Sequence, residues 1–245
     1  MEVHHHPDLH HKGKNLKEYF LEFLMIFLAV LMGFMAENLR EQFTDHRRTQ
    51  QFAKSLVHDL QIDAQKCNSI VLDFNRQVLN YDTLMILLNS NKPSTNRLYY
   101  FFQFTTRLSW FKSTRMAIDQ LKSTGAMRLF EKRGASDTIN SYYESTKWIE
   151  DYSSIYVNYF NEFHKDAFQA FSYSQFGSLF FEPEKLLDNS LNLKLLNDSY
   201  TLKQILYNKL FALRVITIEY TRLLKDLENQ GHSCIKFLQN EFHIK

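Results

Sequence analysis

Glycine and proline are scarce in this chain, 6 and 3 in 245 residues. A β-sandwich, a barrel or a doubly wound α/β protein of this length needs many more turn residues. The shortage therefore points to long helices with few connections. Cysteine is nearly absent, and two residues cannot build a disulfide framework. No excess of one charge sign exists: 29 Lys+Arg stand against 27 Asp+Glu, a net charge of +2. With no basic stripe, nucleic acid is not an expected partner. The motifs of common chemistries are missing as well. No G-x-G occurs, which removes a dinucleotide fingerprint and a P-loop. H-E-x-x-H, C-x-x-C and G-x-S-x-G are absent, and no Glu-x-x-His of the kind di-metal helical bundles use falls in a predicted helix. No catalytic residue set emerges, and the chain reads as a non-enzyme. What is present is 44% apolar residues, 15% aromatics and 23% charged residues, enough for a packed core.

One long apolar run stands out. Residues 19–36 read YFLEFLMIFLAVLMGFMA, with Glu22 the single charge. As a helix this run is about 27 Å long, enough to cross a bilayer's hydrocarbon core if Glu22 snorkels to the interface. An acid in a span is a functional candidate by default, but here Lys17 and water lie within reach. A cleaved signal peptide is a poorer reading, since the best cut, after Ala36, has Phe34 two positions earlier. A buried amphipathic helix would show a polar face, and the run has none. Lys12, Lys14 and Lys17 precede the span and Arg40, Arg47 and Arg48 follow it, a tie by the positive-inside rule. A short basic tail usually stays inside, so the expected topology is N-terminus in the cytoplasm and body outside, in the periplasm. Ala29 and Gly33, four apart, permit close approach of a second anchor helix.

Beyond the span the apolar spacing is heptad-like. Ala53, Val57, Leu60, Ala64, Cys67, Val71, Phe74, Val78, Tyr81, Met85 and Leu88 alternate by four and three, and Leu39, Phe43, His46 and Gln50 extend the seam back. This predicts one helix over 37–90, broken by Asn91-Lys-Pro-Ser-Thr-Asn96. The aromatic-rich stretch 97–107 is read as a helix from its neighbours. Ser113 or Thr114 is expected to cap a short helix that stops at Gly125. Ser136 is expected to cap a second long helix over 136–171. Its seam is Ile139, Tyr142, Thr146, Ile149, Ser153, Tyr156, Phe160, Phe163, Ala167 and Ala170. A loop covers 172–182, and Pro183 opens a short helix through Asn189. Asn197 and Asp198 cap a third long helix over 199–243, with a seam of Leu206, Leu213, Ile216, Tyr220, Leu223, Leu227, Cys234 and Phe237, and Lys209 and Gln230 as exceptions. The expected architecture is all-α: a His-rich basic tail (1–18), a transmembrane helix (19–36) and a helical body (37–245). In that body the long helices pack antiparallel, the first beside the last.

The opening Met1-Glu-Val-His-His-His-Pro-Asp-Leu-His-His-Lys12, followed by Glu22-Phe-Leu-Met-Ile-Phe-Leu-Ala-Val30 and Gly33-Phe-Met-Ala-Glu-Asn-Leu-Arg-Glu41, resembles a family of uncharacterised single-pass membrane proteins of Bacteroidota. The central Gln120-Leu-Lys-Ser-Thr-Gly-Ala-Met-Arg-Leu129, with Ile139 and Tyr142-Tyr143 after it, resembles the same family's middle segment. The resemblance implies a native His-rich tail, an N-terminal anchor and a helical extramembrane body; the expected location of the anchor is the bacterial inner membrane. The resemblance supplies no catalytic residues.

The tail carries the most chemical feature, the cluster His4, His5, His6, His10 and His11. Neutral imidazoles are good ligands for Zn, Ni or Cu. Against a metal site, ordering a tail costs entropy, and Asp8 is the one close carboxylate. Cys67 and Cys234 both fall on seams. They either face one another as a bridge or, offset by several turns, remain buried thiols. Aromatics around 99–104 and 171–181 lie in short segments and are candidates for an exposed partner patch. His58-Asp59 and Glu162/His164 read as helix surface. The combined expectation is a membrane-anchored helical interaction or scaffold protein of the envelope that binds the lipid bilayer and a protein partner or itself. The alternatives are a sensor-like accessory acting through a partner and a metal-handling protein using the His tail.

Overall fold

The structure is a computed structural model that describes residues 15–131, 134–188 and 190–244. Seven α-helices are described: α1 (Leu16–Leu88), α2 (Thr95–Thr105), α3 (Met116–Ser123), α4 (Arg128–Glu131), α5 (Ala135–Ala170), α6 (Tyr173–Phe176) and α7 (Tyr200–Phe242). Two 3-10 turns, Gly177–Leu179 and Pro183–Leu187, lie between α6 and α7. No strand occurs among the described residues, so the chain is all-α. It divides into two compact units, one up to Thr49 and one from Gln50 onward.

The described part of the first unit is the beginning of α1, exposed over most of its length. Leu39, Phe43 and His46, expected to continue the heptad seam, are exposed there. The packed seam begins later, and from Ala53 on the expected positions are buried, with Val78 half-buried.

The second unit is a three-helix bundle. Cross-helix pairs fix its directions. On α1 and α7, Gln50 donates to the Phe242 carbonyl, Phe74 meets the Tyr220 ring, and Asp82 pairs with Arg214. Rising numbers on one helix match falling numbers on the other, so the first and last helices run antiparallel, as their seams predicted. α5 is also antiparallel to α7, since Tyr156 stacks near Tyr220 while Glu162 and Asp166 hold Lys209. By contrast α5 runs parallel to α1: Tyr142 reaches Asp63, and Tyr156 reaches Gln77, fourteen residues further along both helices. The bundle is therefore antiparallel at both α7 contacts, as expected of the long helices, and α1 and α5 are its one parallel pair. A parallel pair needs a return connection, and residues 89–134 supply it.

Every position of the α5 stripe read from its spacing is buried, and Ala135, Tyr143 and His164 are buried beside it. The α7 stripe differs in phase. Leu206, Leu213, Tyr220, Leu223, Leu227 and Cys234 are buried as expected, while Ile216 and Phe237 are half-buried and the fully buried intervening positions are Leu210, Thr217, Leu224, Gly231 and Leu238. Lys209 and Gln230 cease to be exceptions, because they are not on the seam. Gly231 allows close approach: a Cβ there would lie 3.4 Å from the Tyr142 ring. α7 passes through it without a break.

Several helix ends are set differently from expectation. Ser94 caps α2, Ser199 caps α7 with its side chain accepting from Leu202, and Gly134 precedes α5 at φ +66°. Ser136, Asn197 and Asp198 are therefore not the caps. Gly125 does end α3 as expected. It sits at φ +66°, with its amide on the Lys122 carbonyl and the Ala126 amide on the Leu121 carbonyl. This is the paired bonding of a Schellman stop, which favours glycine. The stretch 172–182 is not a plain loop, since α6 and a 3-10 turn occupy most of it.

Candidate functional site

Both buried aspartates, Asp59 and Asp63, serve one structural element. Between α2 and α3 the chain runs extended, without backbone pairing of its own, and side chains from all three long helices satisfy it. From α1, Gln77 donates to the Arg107 carbonyl at 2.8 Å, and Lys66 to the Lys112 carbonyl at 2.9 Å. Asp63 accepts the Thr114 amide and Asp59 the Ala117 amide, each at 2.7 Å. From α5, Glu150 accepts both the amide (2.8 Å) and the hydroxyl (2.6 Å) of Ser113. From α7, the Tyr220 hydroxyl accepts the Phe111 amide at 2.9 Å. The segment thus runs antiparallel to α1 as a strap. Neither Ser113 nor Thr114 caps α3, and the carboxylate of Asp59 bonds an amide of its first turn instead. The reading of His58-Asp59 as helix surface is corrected for Asp59, which is buried, while His58 is exposed.

Burial raises the Asp63 carboxyl above its ordinary range, against the opposing pull of Thr114 and Lys66. Its second oxygen accepts the Tyr142 hydroxyl at 3.3 Å. Burial and the neighbouring carboxylates push the Tyr142 and Tyr143 hydroxyls upward too. These carboxylates hold backbone and hydroxyl donors, an arrangement that fixes a chain segment.

His164, expected at the surface, is buried among Phe102, Phe160, Phe163 and Phe168. Its Nδ1 donates to the Phe160 carbonyl at 2.8 Å, and its Nε2 lies 3.2 Å from the Thr105 hydroxyl. Burial pushes the imidazole down to about 4, so it is neutral at physiological pH. A core histidine on one helix face leaves no mark in the spacing that separates it from a surface one.

Cys67 and Cys234 are free, buried thiols pushed up to about 12 by desolvation. The α1–α7 register sets them about seven residues out of step, roughly 10 Å along the axis, so they do not bridge. The aromatic segments expected as a partner patch are largely core: Tyr99, Phe102, Phe171 and Phe176 are buried, and Phe102 stacks on Phe171 at 4.0 Å. Phe181 alone among them is almost fully exposed. His4, His5, His6, His10 and His11 lie outside the described residues. Among the described residues no group of three or more His, Cys, Asp or Glu side chains is placed to hold a metal ion.

Besides Leu72, Leu79 and Ile86, exposed along the bundle part of α1, two apolar surfaces remain. The first is in α1, whose best 18-residue window has a mean hydropathy of 2.2 and no buried residue, long and apolar enough to cross a membrane. The second lies on α5 and α7, where Trp148, Ile155, Tyr159, Phe211, Val215 and Ile218 are each about half exposed. No protein-family model matches the chain, and neither a curated protein nor a solved structure is similar to it.

Proposed function

We propose that this chain is a membrane-anchored helical interaction protein of the cell envelope, without catalytic activity of its own. The observation that carries the reading is the contrast inside α1. Its start is a wholly unburied apolar run with the length of a span, while from Ala53 onward the same helix is one wall of a packed bundle. A soluble protein has no use for the first, and water-exposed Phe and Leu over such a length would aggregate. The buried carboxylates and amides serve the strap, so the surface is where the bundle acts. In this reading the inner membrane holds the span, the basic tail stays in the cytoplasm and the body lies in the periplasm.

The test is purification from native membranes in mild detergent, with mass spectrometry of co-purifying proteins and light scattering of the particle. A stoichiometric envelope protein, or a defined homo-oligomer, is the expected result. Recovery in the soluble fraction would sink the anchor, and a lone monomer would sink the interaction role. Orientation is read separately, by labelling a cysteine placed at Lys122 with an impermeant maleimide in intact cells. Labelling of that cysteine is expected once the outer membrane is permeabilised.

A further inference from the structure

The α5–α7 face has a shape as well as a composition. On α5, Trp148, Tyr152, Ile155 and Tyr159 follow a four-three-four spacing and form one stripe. On α7, Phe211, Val215 and Ile218 form a second stripe on the side of the helix turned away from Leu210, Leu213 and Thr217. Between the helices lies a recess of about 320 Å³, lined by Asn158, Tyr159 and Glu162 of α5 and by Asn208, Lys209 and Ala212 of α7. Tyr159 of α5 and the small Ala212 of α7 both line it. The face is thus a ridge beside a groove, and Phe211 on the ridge stands at the height of Ala212 in the groove.

The six half-exposed side chains present on the order of 500 Å² of apolar surface, the upper end of what a monomer leaves open. With its polar surround the face approaches the roughly 800 Å² that each partner buries in a standard interface. Its charges are already matched within one chain. Lys209 is held by Glu162 and Asp166, Arg214 by Asp82, and Arg222, in line with the ridge, by Glu219 and Asp226. Such a face does not select a partner of opposite charge and is not repelled by its own image.

We infer that the α5–α7 face closes on a second copy of this chain, about a two-fold axis running along α7 beside Val215. Such an axis keeps heights and exchanges sides. It therefore brings the Phe211 ridge of each copy to the groove of the other, as an isologous interface requires. The inference rests on the interaction role proposed above and narrows the partner to the chain itself.

The test places a cysteine at the axis. Cys67 and Cys234 are buried, so in the full-length Val215→Cys protein, in membranes or mild detergent, the introduced thiol is the accessible one. Mild oxidation is expected to give a disulfide-linked dimer that reductant reverses. Lys122→Cys, exposed on α3, is expected to stay monomeric. Adding Phe211→Glu to Val215→Cys is expected to cut the cross-linked fraction about tenfold, with helicity by circular dichroism unchanged; Ile218→Glu serves if that variant loses helicity. The inference is overturned if Val215→Cys stays monomeric while a maleimide labels it, if Lys122→Cys cross-links as well, or if the adduct joins a different protein. A missing dimer with a stoichiometric envelope partner leaves the interaction role standing, whereas a missing dimer with no partner removes both.

Discussion

Asp63 is where the strap is most exposed to test. Its carboxylate is fully buried and accepts the Thr114 amide and the Tyr142 hydroxyl, with the Lys66 ammonium 3.4 Å away. Asp63→Ala strands two donors. A buried donor without a partner costs about 1–3 kcal/mol, and the Thr114 amide is only half-buried, so water recovers part of its share. The expected loss is about 3 kcal/mol, which lowers Tm by about 6–12 °C for a domain of this size. Asp63→Asn is different. An amide oxygen still accepts from Thr114, the Tyr142 hydroxyl can turn, and Lys66 keeps its bonds to Thr114 and Lys112. Because burial raises the Asp63 carboxyl, its ionised form costs the native state free energy near neutral pH. Removing that charge offsets the weaker hydrogen bonding, and the expected loss is below about 1 kcal/mol. The sign of the pH dependence follows. A raised carboxyl binds its proton more tightly folded than unfolded, so native stability falls as pH rises from about 4 through the folded value. Acidification from pH 7 should therefore favour the wild type over Asp63→Asn. Thermal unfolding followed by circular dichroism, with amide exchange at Thr114, checks all three. Equal damage from Asn and Ala at pH 7, or unchanged exchange at Thr114 in Asp63→Ala, would refute the reasoning.

Other outcomes follow from the core. His164 is held neutral, its imidazole lowered from 6.5 to about 4; the unfolded chain binds the proton first, so acidification from pH 6.5 to 4 should remove about 3 kcal/mol of stability. His164→Phe should flatten that loss in urea titrations, and a wild-type profile equally flat would contradict the buried site. Gly231→Ala should stabilise by about 0.5–1 kcal/mol through helix propensity, since its Cβ meets Tyr142 at a tolerable 3.4 Å. Gly231→Leu should cost about 1–3 kcal/mol by overpacking, and calorimetry of the pair separates the two effects. Neither Cys67 nor Cys234 should react with a maleimide in the native protein, while both should react in denaturant. Fast native labelling of either would mean that the bundle opens there.

How far the sequence could be read depends on whether a feature is periodic. α5 is legible because one stripe of apolar and small residues repeats without competition. α7 offers two phases through Leu206, Leu213, Tyr220, Leu227 and Cys234. One passes Lys209 and Gln230; the other passes Leu210, Thr217, Leu224, Gly231 and Leu238. The chain uses the second, with Leu223 of the first buried beside it. The Thr217 hydroxyl bonds the Leu213 carbonyl at 2.7 Å and so tolerates burial, and Gly231 makes room for a tyrosine ring. The two polar exceptions were the legible sign that the first phase was wrong.

The strap was not legible, for a reason that lies in the topology. Nothing in the spacing of two helices fixes whether they run parallel, yet once α1 and α5 do, the connection must travel back along the bundle. Extended backbone in that position has amides with no ladder to join, and each must find a side chain. Asp59, Asp63, Glu150 and Tyr220 are those side chains, drawn from three helices up to 161 residues apart in sequence. Two aspartates four apart beside Leu56 and Leu60, on a face that is otherwise apolar, are the trace this leaves. In a helix that reads as a seam, such a pair resembles either surface or a catalytic dyad. Its partners show what it does in the fold: each carboxylate accepts a backbone amide at 2.7 Å and so holds the strap to α1.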